Sequence, residues 1–296
     1  MATARQGPTV RGRQLGAELR RLREESGLTI ERVAKSLECS ESKVSRIENG
    51  QVGATPRDVR DMLDLYEVEP QRREALIEVA RQARQKGWWN AYRDVPIVPA
   101  SIGLEENATA LRMYAALLVP GLLQTRDYAS AVLRSLQPDL DADQFERWVD
   151  LRIKRQSLLY RADAPALWVL LDEAVLRRPV GGPEVMAEQL RRLAEAADGP
   201  NVTLQVVPFA AGEHAGMDGG FTIFAFSRSA DSDVVHLDIS SGDLYLERPE
   251  QIRRYNQVFD QLRAAALEPD DSHALLVELA GGSWSGPTGD AAAESA

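Results

Sequence analysis

Residues 19–50 read LRRLREESGLTIERVAKSLECSESKVSRIENG, and the fold of the amino-terminal third follows from them. Leu15, Leu19 and Leu22 recur at helical spacing with Arg20, Arg21 and Arg23 between them. Gly27 stops that helix. Thr29 caps a second helix whose inward face is Ile30, Val33, Ala34 and Leu37. After a turn at Glu38-Cys39, Ser40 caps a third helix, Ser40 to Asn49, which ends at Asn49-Gly50. Its apolar residues are Val44 and Ile47 alone.

The rest of the third helix is Glu41, Ser42, Lys43, Ser45, Arg46 and Asn49. Short hydroxyls, an amide and cations can approach the floor of a DNA groove and tell donor from acceptor patterns. A merely solvated helix would prefer long Glu/Lys pairs. A pure protein-binding helical module is the competing reading of the same pattern. Further along, Thr55, Pro56 and Asp58 open a fourth helix with a capping box, and Val59, Met62, Leu63 and Tyr66 form its stripe. A fifth, about 70–85, buries Leu76, Ile77 and Ala80.

The stretch Leu19 to Gly50, and KVSRIENG above all, resembles the Xre/Cro/cI-type helix-turn-helix of phage repressors over about residues 13–68. The resemblance implies a five-helix domain whose third helix reads the major groove of double-stranded DNA. It places Glu41, Ser42, Ser45 and Arg46 toward bases and Ser40, Lys43 and Asn49 toward phosphates; with Thr29 these make up the candidate contact set. Arg46 would pair with guanine O6/N7 and Glu41 would accept from cytosine N4. It also implies a structural clamp between Arg23 and Glu48. Where such domains usually carry Gly in the turn after the second helix, this chain has Glu38, at a backbone position that favours positive φ.

A chain of 296 residues is long for one domain. The net charge of -10 is unevenly spread: residues 1–86 hold 17 Lys or Arg against 14 Asp or Glu, and the remainder holds 18 against 31. Such asymmetry marks a nucleic-acid-binding module joined to something else. Residues 1–14, with Arg5, Arg11 and Arg13 and no acid, read as a basic flexible arm or as a plain solvated terminus. No apolar run approaches the ~20 residues that span a bilayer, and the first residues carry no apolar signal core, so a cytoplasmic protein without a membrane partner is expected. The single Cys39 excludes an internal disulfide and a multi-cysteine zinc site, and reads as a half-buried filler.

Residues 87–104, with Trp88-Trp89, Tyr92 and two prolines, read as a connector anchored by its aromatics. From 105 to 280 the pattern is α+β with a mixed or antiparallel sheet. Helices are expected at about 105–118, 124–136, 142–160, 183–197, 249–267 and 270–279. Strands are expected at Leu167 to Leu171, Val202 to Val206, Phe221 to Phe226, Asp233 to Leu237 and Leu244 to Leu246. Ala210 to Gly220 reads as a mobile loop able to cover a pocket or a partner surface, and 281–296 as a disordered tail. The runs LLVPGLLQTRDYA, DEAVLRRPVGGPEVMAEQL, VVPFAAGEHAG and LYLERPEQIRRY resemble the uncharacterised C-terminal domain of actinobacterial WhiJ-like regulators. That resemblance implies a small partner protein encoded nearby, and no catalytic residues.

No enzyme is expected, nor any metal or cofactor. His214, His236 and His273 lack ligand spacing. Asp172-Glu173 reads as a helix start rather than a metal site, and Arg177-Arg178 as a solvated pair rather than an anion site. His236 between Asp233 and Asp238 has no nucleophile elbow to complete a triad. The expectation is a repressor acting as a homodimer on a palindromic operator, since one short helix reads few bases. A small-molecule sensor and the DNA-binding half of a toxin–antitoxin-like pair remain alternatives.

Overall fold

The computed structural model describes residues 10–49, 52–83, 88–92, 95, 101–226, 233–239 and 242–282. They fall into two units, one within 1–91 and 99–107, the other within 92–98 and 108–296.

The first unit is helical: α1 (Val10–Glu25), α2 (Ile30–Ser36), α3 (Glu41–Glu48), α4 (Pro56–Leu65), α5 (Pro70–Ala83) and the short α6 (Ile102–Glu105). Leu15, Leu19, Leu22, Val33, Ala34, Val44, Ile47, Val59, Met62, Leu63, Leu76, Ile77 and Ala80 form one core, with Cys39 packed against it. The caps are those the residue types dictate. Thr29, Ser40 and Thr55 each accept from the N–H three residues on, at 3.2, 3.2 and 3.0 Å. Asp58 completes the capping box on the Thr55 N–H at 3.1 Å. One correction concerns the arm: α1 begins at Val10, so residues 10–14, expected to be flexible, continue the helix. Leu15 is not its first turn but its second. Residues 1–9 and Gly50 lie outside the described residues.

The segment 87–104, expected as a connector anchored by its aromatics, contains a 3₁₀ turn, Trp88–Tyr92, and most of α6. Trp88 donates through Nε1 to Glu106 Oε1 at 2.7 Å, which fixes the tryptophan within the first unit. Tyr92 and Val95 belong to the second unit, where they pack with Leu133, Trp148 and Val149.

In the second unit β1 (Ala110–Ala115), β2 (Ala166–Asp172), β3 (Val202–Val207), β4 (Phe221–Ala225), β5 (Val234–Ile239) and β6 (Gly242–Leu246) form one mixed sheet in the order β3-β2-β1-β4-β5-β6. The first three strands are parallel and the last three join antiparallel. Helices α7 (Arg126–Leu136) and α8 (Ala142–Arg155) connect β1 to β2, and α9 (Glu173–Arg177) and α10 (Pro183–Ala197) connect β2 to β3, as parallel pairs require. On one face, Ile252, Phe259 and Leu262 of α11 (Pro249–Ala265) pack against Tyr114, Leu170, Val207, Phe221, Ile223 and Val235. The last helix, α12 (Pro269–Gly281), packs on α10 and β3 and extends one residue into the segment expected to be a tail; 283–296 are not described.

The helix expected over 105–118 is absent. ALRMYA at 110–115 has good helix formers, yet it pairs with β2 on one side and β4 on the other. Two flanking strands satisfy its backbone and outweigh the weak intrinsic preference. Nor is 210–220 a loose loop. His214 Nε2 lies 3.4 Å from Asp172 Oδ2, and Tyr114 donates to the same oxygen at 3.2 Å. Gly216 is buried against the Tyr114 ring, where a Cβ would stand 2.4 Å from Cε1.

Candidate nucleic-acid interface

Helix α3 rests on Val44 and Ile47, 0 % and 2 % exposed. With those fixed inward, helical geometry settles the rest. Glu41, Ser45 and Asn49 step by four residues along one outer row, and Ser42 and Arg46 along the next. Glu41, Ser42, Arg46 and Asn49 are exposed and Ser45 half-buried. Asn49 donates to Ser45 Oγ at 3.3 Å, and Arg46 donates through Nε to the Ser42 carbonyl at 3.3 Å. The sequence-derived set is thus brought together on one side of α3, except for Thr29, Ser40 and Lys43.

Thr29 sits at the cap of α2, exposed, where the first-turn N–H groups point outward. Ser40 does the same for α3. Both ends suit an anion, through free N–H groups and the helix dipole. Lys43 is turned aside: its Nζ lies 2.7 Å from Asp58 Oδ1, across α3 and α4. That partner raises the lysine's pKa and answers part of its charge within the domain. The sequence reading did not see this competition, because the two residues stand fifteen apart.

Behind α3, Arg23 donates to both carboxylate oxygens of Glu48, Nε to Oε1 at 2.7 Å and Nη2 to Oε2 at 3.0 Å. Its Nη1 donates to the Leu28 carbonyl at 2.9 Å. The paired acid raises the pKa of Arg23 further. One buried guanidinium therefore ties α1 to the end of α3 and to the loop that enters α2. A fork of this kind fixes orientation as well as distance. The clamp implied by the resemblance is present.

The turn between α2 and α3 is closed by Glu38 at φ 50°. Cys39 N–H reaches the Ala34 carbonyl at 2.9 Å and Glu38 N–H the Lys35 carbonyl at 3.3 Å, the paired bonds of a Schellman end. The glutamate adopts the left-handed backbone that the position demands.

One cation was missed. Arg57, in the first turn of α4, has a side chain 88 % exposed, with Asp61 at 3.8 Å. The Lys43–Asp58 pair sets that turn beside the amino end of α3. The signal available was Pro56-Arg57 at a helix start following the third helix.

In the second unit each histidine faces an aspartate: His214 with Asp172, His236 with Asp243 at 2.7 Å, His273 with Asp198 at 3.5 Å. His236 thus takes neither Asp233 nor Asp238, the neighbours that sequence proximity suggested. Asp172 caps α9, accepting from the Ala174 N–H at 2.9 Å, and Arg177 pairs with Glu173 at 2.8 Å.

No helix among the described residues is long and apolar enough to cross a membrane. No curated protein and no solved structure matches the chain. Residues 14–76 match the family model of a helix-turn-helix domain, which together with the geometry of α3 marks a DNA-binding regulator. Residues 98–278 match the model of a domain of unknown function, DUF5753. That match spans more than half of the chain, and the protein therefore belongs to the DUF5753 family, with a helix-turn-helix domain ahead of the shared domain.

Proposed function

We propose that the protein is a sequence-specific transcriptional repressor of the Xre type that acts in the cytoplasm as a homodimer on a palindromic operator. Residues 15–86 carry the DNA contact, 87–104 connect, and 105–280 dimerise the chain and receive a signal from a small partner protein encoded nearby. The observation that carries the reading is the outer surface of α3, where Glu41, Ser42, Ser45, Arg46 and Asn49 stand together on a helix locked by Arg23–Glu48. Arg46 reads guanine O6/N7 and Glu41 accepts from cytosine N4. Thr29, Ser40 and Asn49 meet phosphates, and Arg57 joins them. Lys43 meets a phosphate only in competition with Asp58, which holds its ammonium within the domain. Two copies of α3 about one helical turn apart, ~34 Å, match the two half-sites of a palindrome.

The test is fluorescence anisotropy of the full chain against the DNA upstream of its own gene. Arg46→Ala is expected to weaken specific binding by roughly 5- to 150-fold, as loss of a bidentate base contact does. An Arg46→Ala protein indistinguishable from wild type would sink the reading.

A second reading, a small-molecule sensor in place of a protein sensor, is favoured by a cleft in the second unit.

A further inference from the structure

A cleft of about 280 Å³ opens at the amino-terminal ends of β1, β2 and β3, between the sheet and α11. The strand register sets Arg112, Trp168 and Thr203 side by side on its sheet wall. Phe259, Asp260 and Arg263 of α11 form the facing wall. The two aromatic rings meet edge to face with centroids 6.0 Å apart. Trp168 also donates through Nε1 to Gln205 Oε1 at 2.9 Å, which holds the indole in place. The two rings, set nearly at right angles, thus form an apolar corner of the cleft.

Its cations are under-satisfied. The half-buried Arg112 side chain makes one hydrogen bond among the described residues, from Nη1 to Asn256 Oδ1 at 2.6 Å. That acceptor is a neutral amide, and a guanidinium has five N–H groups to place. No described carboxylate pairs with Arg112 in direct contact, and the buried Asp233 acts on it only through space. Arg263 stacks over Trp168 with its guanidinium carbon 5.2 Å from the ring centroid. Its nearest carboxylate, Asp260, stands at 3.7 Å, beyond hydrogen-bonding distance. Two guanidinium groups, one half-buried and one exposed, thus border one aromatic cleft, and a carboxylate set between them would accept charge-assisted hydrogen bonds from both.

We propose that this cleft binds a small planar aromatic carboxylate, its ring against Trp168 and Phe259 and its carboxylate on Arg112 and Arg263. The volume, about 280 Å³, falls just below the ~300–1,000 Å³ range of ligand pockets, which limits the ligand to one or two rings. Asp260 at the rim disfavours anions of higher charge, such as inorganic phosphate. As a regulatory site the cleft rests on the small-molecule reading above; as a binding site it stands by itself.

The experiment is calorimetric titration of the full chain with benzoate, salicylate and indole-3-carboxylate, with benzamide as the neutral counterpart and inorganic phosphate as the charge control. Saturable binding of at least one acid is expected, about tenfold weaker for benzamide and undetectable for phosphate. Arg263→Gln, at an exposed position, should weaken binding about tenfold with the circular dichroism spectrum unchanged. Arg112→Gln should do so more strongly. Absence of saturable binding by all three acids, equal binding of benzamide, or an Arg263→Gln protein that binds like wild type would overturn the proposal. Adding the bound acid to the operator titration separates the two readings. Binding with unaltered DNA affinity supports the cleft as a site and removes its sensory role.

Discussion

Glu38 and Glu67 both turn the chain out of a helix in the left-handed region, at φ 50° and 54°, as Gly27 does at 68°. A Cβ there strains the backbone by roughly 1–2 kcal/mol, offset in part because glycine has more freedom to lose on folding. Glu38→Gly is accordingly expected to stabilise the first unit by about 0.5–1 kcal/mol in urea unfolding; a lower midpoint would mean that the glutamate side chain contributes something the turn geometry does not show. Asp58 offers the complementary test by pH. Burial pushes its carboxyl up, but Lys43 and the Thr55 hydroxyl and N–H outweigh that, and its pKa falls below the ordinary value. A depressed folded pKa gives stability that is present above the unfolded value, ~3.9, and is lost as pH falls through the folded one. Asp58→Asn should therefore cost about 1 kcal/mol at pH 7, the scale of a helix cap, and the difference from wild type should shrink below about pH 4. A pH-independent difference would remove the charge from the explanation. The caps and the Glu38 turn were legible because their signals are local. The Lys43–Asp58 pair was not, since nothing in the spacing of the two residues says which helices meet.

The element most plainly misread is β1. Its residues suit a helix, and only its place between β2 and β4 makes it a strand. Its partners lie far along the chain, and its own residues, unlike those of β2 and β3, show neither a clean apolar run nor a strand alternation. The same distance hid the contact of Tyr114, Asp172 and His214, which unites β1, the end of β2 and the loop after β3. That loop is rich in glycine for a packing reason. Gly216 lies on the ring of Tyr114, itself 2 % exposed, and a Cβ on Gly220 would stand 2.9 Å from the Tyr114 carbonyl. Gly216→Ala forces a methyl into a filled space, with an expected cost of about 1–3 kcal/mol read as a lowered Tm of the second unit. An unchanged Tm would show that the loop can lift from β1 at little cost, the mobile behaviour that its composition suggested. By contrast α10 and β3 lie where apolar period alone placed them, α10 at Pro183–Ala197 and β3 at Val202–Val207.

For the whole molecule the charge balance sets the demand on DNA binding. The first 86 residues carry an excess of only three positive charges, and the rest of the chain an excess of thirteen negative ones. Bulk attraction to phosphate is weak, so the proposed function leans on base contacts and on two half-sites engaged together. Inserting five base pairs between the half-sites turns one through about half a helical turn and should abolish tight binding in gel shifts. Affinity that survives the insertion would sink the dimer reading. The affinity for the unmodified operator should also fall with salt, with a log–log slope of roughly -0.9 for each phosphate neutralised.

The sequence by itself determined the helical first unit, the inward anchors Val44 and Ile47 of α3, its polar outer rows, the caps and most strands of the second unit. Each of these is written within a few residues of itself, as a period, a cap or a breaker. The tertiary structure alone decided that 110–115 is a strand, that Lys43 faces Asp58, that the glycine-rich loop is packed on Tyr114, and that Arg112, Trp168 and Arg263 border one cleft. These join residues brought together by sheet register and helix packing, which depend on which surfaces the chain can bury together, and that is a property of the whole fold.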